Sequence, residues 1–139
     1  MNPPSGTRQP LVSHVSVGVF DLFRAGVFYD AALAPLGARR LMEHGLGIAY
    51  GHTFPEFWVS QPHDGKHASP GNGTHVCFNA PDREAVAAFH AAGLDAGGFN
   101  EGSPGPRPEY APGYYAAFLL DPDGNKIEAM CWVPQPAAG

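Results

Sequence analysis

Cysteine, basic charge and long apolar runs are all scarce in this chain. Cys77 and Cys131 are its two cysteines and have no C-x-x-C spacing, which excludes a disulfide scaffold and a redox pair; their apolar, strand-like contexts suit reduced core thiols. Eight Lys+Arg against thirteen Asp+Glu give a formal net charge of −5. With no basic block, the footprint of a nucleic-acid or anionic-membrane partner is missing. No apolar run approaches the roughly 18 residues of a spanning helix, and the opening MNPPSGTRQP has no apolar signal core. The expectation is a cytoplasmic protein with no membrane segment.

What the chain does have is enough apolar residue, 44 % of 139, to bury the core of one domain. It also contains an internal repeat. A shift of 61 residues (His14 to His75) lays SHVSVGVFDLFRAGVFYDAAL (13–33) over THVCFNAPDREAVAAFHAAGL (74–94). Asp21 then meets Asp82, Phe28 meets Phe89 and Leu33 meets Leu94. Each copy begins with period-two alternation and turns at an Asp suited to cap a helix. Strand candidates follow each helix: ARRLMEH, LGIAYG and EFWVSQ in the first half, then a weak one near Gly98, YYAAFLL and KIEAMCW in the second. The expected fold is therefore α+β: two βαβββ modules forming a curved mixed sheet around a concave site, with the helices outside. The modules span 11–61 and 73–133 of a single domain, 11–133. Residues 62–72 are the linker, and 1–10 and 134–139 are expected to be flexible ends. DPDGN (121–125) reads as a hairpin turn, and NEGSPGPRPEYAPG (100–113) as a long loop.

Strand parity singles out three residues. Val15, Val17 and Val19 must meet a helix, so His14 faces the other way; the same alternation places His75 opposite Val76 and Glu128 opposite Ile127. If the halves pack side by side about a pseudo-twofold, the two histidines converge on the uncovered face with Glu128. Two imidazoles and a carboxylate are ligand types for a divalent transition metal with open positions. Without a metal, Glu128 needs a buried ion-pair partner, for which Arg107 and Lys126 are at hand. His63 and His67 fall in a Pro/Gly-rich stretch that gives them no common helix face, and His44, His52 and His90 read as surface residues.

The paired modules, the two first-strand segments and above all GYYAAFLLDPDGNKIEA (113–129) resemble the vicinal oxygen chelate superfamily of glyoxalase I, thiol transferases, bleomycin-resistance proteins and extradiol dioxygenases. The resemblance covers about residues 11 to 133. It implies metal ligands at His14, His75 and Glu128, a divalent ion (Zn, Ni, Mn or Fe), a small-molecule substrate with adjacent oxygens and a homodimer, some members sharing sites across the interface. The implied activity is that of a glyoxalase-like lyase or isomerase working through a metal-bound enediolate. An Fe(II) extradiol dioxygenase and a metal-free ligand-sequestering protein are the alternatives. One departure is that strand four offers Trp58 where glyoxalase I has a carboxylate ligand; Glu56, two residues away, keeps the same parity. Catalytic candidates are Glu128 and Tyr110, and the expected pocket is lined by Trp58, Phe57, Arg107, Tyr115 and Met130.

Overall fold

The structure is a computed structural model describing residues 9–137. Both expected helices form, and both start where an aspartate can cap them. Asp21 accepts hydrogen bonds from the backbone N–H groups of Phe23 (2.9 Å) and Arg24 (3.2 Å) ahead of α1, Leu22–Leu33. Asp82 does the same for Ala85 (2.8 Å) at α2, Arg83–Asp95. Buried residues recur along α1 at Ala25, Phe28, Tyr29, Ala32 and Leu33, the stripe a helix needs to dock on a sheet. A short 3-10 turn, Ala34–Leu36, then ends at Gly37, whose φ of 84° favours glycine.

Eight strands complete the duplicated βαβββ plan, as two four-stranded mixed sheets. In the first module β1 (Val15–Gly18) lies parallel to β4 (Phe57–Ser60), which pairs antiparallel with β3 (Gly47–Gly51) and so with β2 (Arg39–His44). In the second, β5 (His75–Asn79) lies parallel to β8 (Lys126–Trp132), followed by β7 (Tyr114–Leu120) and β6 (Phe99–Pro106). The strand β6 corrects the loop expected over 100–113. Pro104 and Pro106 argue against a strand, but β6 is the outer strand of its sheet and its register shifts twice, so missing N–H donors are tolerated there. Only 107–113 is left as a connection. Of the expected flexible ends, 1–8 and 138–139 lie outside the described residues, and 9–10 and 134–137 are exposed and have no regular secondary structure.

The two modules share one core. Val15, Val17, Phe57, Val76 and Phe78 pack into it together with Phe28, Phe89 and Ile127. The rings of Phe57 and Phe78 meet edge to face at 5.0 Å. Val15 and Val76 thus face inward, and the alternate residues of β1 and β5 face away from the shared core. At one seam the DPDGN turn is tied to the first module: Asn125 Nδ2 donates to the Gly18 carbonyl (2.9 Å), and the Phe20 N–H donates to Asp123 Oδ1 (2.8 Å). Asp121, fully buried, accepts from Tyr29 Oη (2.7 Å) and from the backbone N–H groups of Asp123 and Asn125.

Candidate functional site

Glu128 lies in the middle of the second sheet, between β5 and β7, with 2 % of its surface exposed. A carboxylate so buried requires partners. They are neither Arg107 nor Lys126. His75 Nε2 lies 3.0 Å from Glu128 Oε1, and Tyr114 Oη donates to Oε2 at 2.6 Å. Parity explains the meeting: Cys77 and Phe118 are Glu128's register partners, and His75 and Tyr114 project from the same face on the flanking strands. The His75 side chain remains 44 % exposed, so the cluster opens to solvent on the imidazole side.

Electrostatics follow the burial. Desolvation, then the hydrogen bond to Glu128, raises the Tyr114 hydroxyl well above its ordinary value, so it is a donor at neutral pH. Cys77, expected in the core, is exposed as a residue and shares this face, whereas Cys131 is buried. Desolvation of its sulfur and, second, the Glu128 charge push the Cys77 thiol up to about 12. A ring of Phe118 floors the opening, with the Arg107 guanidinium 5.5 Å and the Lys126 ammonium 5.3 Å from its centroid. Arg107 also donates to the carbonyls of Ser103 and Gly105, which hold it in place.

The other expected site residues divide. Met130 is buried beside Ala116 and Phe118 on the Glu128 face, and Tyr110 is 59 % exposed with its ring edge-on to Tyr114 at 5.3 Å. Tyr115 packs with Val86, Ala117 and Cys131 on the α2 side, opposite Glu128; its neighbour Tyr114 is the residue that touches the carboxylate. Counting back from the DPDGN hairpin, Leu120 opposite Lys126 and so Tyr114 opposite Trp132, would have found it. Phe57 and Trp58 point to opposite faces, and Phe57 belongs to the shared core. His90, expected at the surface, is buried with Nε2 2.9 Å from Asn100 Oδ1, because β6 passes over that end of α2.

A contacting imidazole and carboxylate fit two positions of a metal's coordination sphere. His14 is not gathered with them: it is exposed, with Nδ1 3.1 Å from Ser13 Oγ, and among the described residues no three of His, Cys, Asp and Glu are grouped closely enough to hold an ion. The expected side-by-side convergence of the two histidines does not form within one chain, since the faces that meet are those of Val15 and Val76.

No family model and no curated protein matches the chain. Among solved structures, a glyoxalase/bleomycin resistance protein from Albidiferax ferrireducens T118 is 40 % identical, covering 87 % of this chain and 98 % of its own with a TM-score of 0.79. A glyoxalase-related enzyme from Fulvimarina pelagi is 20 % identical over 88 % of each chain, with a TM-score of 0.68. A glyoxalase I mutant from Zea mays is 21 % identical, covering 84 % of this chain and 44 % of its own, with a TM-score of 0.62. The last two share the fold.

Proposed function

Because this chain belongs to the glyoxalase/bleomycin resistance family of the vicinal oxygen chelate superfamily, we propose that it is a glyoxalase-like, metal-dependent lyase or isomerase of a small substrate with adjacent oxygens. The observation that carries this reading is Glu128, a carboxylate held by His75 and Tyr114 in a sheet face that opens to solvent. Such a buried acid beside an imidazole is unusual as structure and ordinary as a site.

His75 and Glu128 would hold a divalent ion (Zn, Ni, Mn or Fe), with His14 supplied by a second copy of the chain in a homodimer. Both first strands turn their histidine faces away from the shared core, which supports that assignment. When bound, the ion would act as a Lewis acid toward two substrate oxygens. The chain's own residues do the rest. Tyr114 fixes Oε2 of Glu128 and so aims Oε1 toward His75. Arg107 and Lys126, poised over Phe118, favour the negative end of a substrate. Tyr110, exposed beside Tyr114, would be the group that exchanges a proton with the substrate.

Elemental analysis of protein purified without chelators tests this, followed by calorimetric titration of the stripped protein. About one ion per chain is expected, lost in Glu128→Gln and in His75→Ala. Mixing unfolded and refolded His14→Ala and His75→Ala chains should restore about one quarter of the sites if ligands are shared between copies, and none if they are not. Tyr114→Phe should weaken metal binding about tenfold while leaving stoichiometry intact. A second reading, a metal-free ligand-binding protein, has its own support: both Glu128 oxygens already have partners within one chain. Wild-type protein that neither contains nor binds an ion would overturn the metal reading and leave this one.

A further inference from the structure

The seam opposite the DPDGN turn is open, and its opening is a cavity of about 300 Å³. Its walls come from both modules. Val15, Leu33, Leu36, Tyr50 and Phe57 contribute from the first, and Val76 and Phe78 from the second. His75, Tyr114 and Glu128 are not part of the lining, whereas Cys77 and His14 are, so the cavity borders the Glu128 cluster without including its three hydrogen-bonded residues. The volume lies at the lower end of those that hold small ligands.

Ser13, His14, Cys77 and Asn79 also bring polar groups to the lining, and its strongest acceptors are Glu56 and His52. Glu56 is the charged carboxylate of the lining, which has no Lys or Arg. His52 Nδ1 is 3.0 Å from the Gly37 carbonyl, an acceptor only, so Nδ1 carries the proton and a neutral His52 keeps Nε2 as a free acceptor. Tyr50 faces the cavity with its ring alone, because its hydroxyl donates to Asp30 Oδ1 at 2.8 Å. An apolar interior with a carboxylate and an imidazole acceptor at its rim suits a molecule with an apolar body and a cationic donor. We infer that the cavity binds a small hydrophobic amine, with its aromatic or branched aliphatic body between Phe57, Val76 and Leu36 and its ammonium at Glu56 and His52. An anion of the same shape would meet Glu56 and find no cation in the lining.

Calorimetry with phenethylamine, phenethyl alcohol and hydrocinnamate tests this, since the three share a body and differ in charge. Phenethylamine should bind saturably at one per chain, more tightly than the alcohol, with hydrocinnamate weakest. Filling the cavity with Ala38→Leu, or blocking its mouth through the exposed Val12→Trp, should weaken the amine about tenfold or more. Glu56→Gln should cost about fivefold and abolish the preference for amine over alcohol. His75→Ala and Glu128→Gln should leave amine binding unchanged. The proposal is overturned by absence of saturable binding, by hydrocinnamate binding as well as the amine, by amine binding that survives both cavity variants, or by its loss in His75→Ala.

Discussion

The turns that join the last two strands of each module, 52–56 and 121–125, hold corresponding places and have opposite fates. The second reaches across to the other module: Asn125 bonds Gly18, and Asp123 bonds Phe20 and, at 3.0 Å, Arg24. The first turns back on its own module. His52 bonds Gly37, the N–H of Glu56 bonds Tyr50, and among the described residues no hydrogen bond links this turn to the second module. Polar side chains in DPDGN convert one seam into a latch, whereas HTFPE leaves the other as a cavity. The duplicated plan therefore sets where the seams fall, and a few turn residues decide whether each is closed.

The largest way to break the contrast is to remove the centre of the latch. Asp121→Ala would orphan the Tyr29 hydroxyl and the N–H groups of Asp123 and Asn125 in the core, so a loss of about 3–5 kcal/mol is expected in urea unfolding. The charge of Asp121 is a separate matter. Burial outweighs its hydrogen bonds and raises its carboxyl above the ordinary value. The folded protein thus holds this proton more tightly than the unfolded chain. Stability from this group is greatest at low pH and declines as pH rises from about 3.9 through the folded value. Urea midpoints across that window should show wild type losing stability relative to Asp121→Asn. A relative gain with rising pH would mean that the hydrogen bonds win and that the latch works best as a carboxylate.

A smaller change asks whether the side chains of the two turns differ as their contacts do. Asn125→Ala removes the amide donor to both Gly18 and Asp121 and should cost about 1–2 kcal/mol. His52→Ala removes one exposed bond within its own module and should cost less than about 0.5 kcal/mol. Equal losses in denaturant melts would erase the distinction between latch and open seam.

Much of this was legible in the chain, for identifiable reasons. Both helices were marked by capping aspartates and apolar spacing, and the direct contact of His75 with Glu128 agrees with strand parity, which is local. The strand β6 was hidden because Pro104 and Pro106 are harmless only at a sheet's outer position, which is known once the sheet is assembled. That Tyr114 and not Tyr115 reaches Glu128 follows from the hairpin register, which pairs Tyr114 with Trp132. The placement of His14 depended on which faces of two strands 61 residues apart (His14 to His75) would pack together, a long-range choice that no local pattern encodes. The same holds for the open seam, which is a property of what HTFPE fails to reach.

A change of opposite sign isolates the open seam. Ala38 lines the cavity without belonging to the latch or to the Glu128 cluster. Added methyl groups in existing space gain apolar burial without displacing packed neighbours, so Ala38→Leu should stabilise the fold by about 0.5–1 kcal/mol. If the space were already closed in solution by a shift of the 52–56 turn, the larger side chain would instead force neighbours off their rotamers and cost about 1–3 kcal/mol. The sign of the change in urea midpoint thus reports whether the seam stands open. Repeating the measurement with saturating phenethylamine sharpens it, because a ligand that occupies the cavity stabilises wild type and loses its effect in the filled variant.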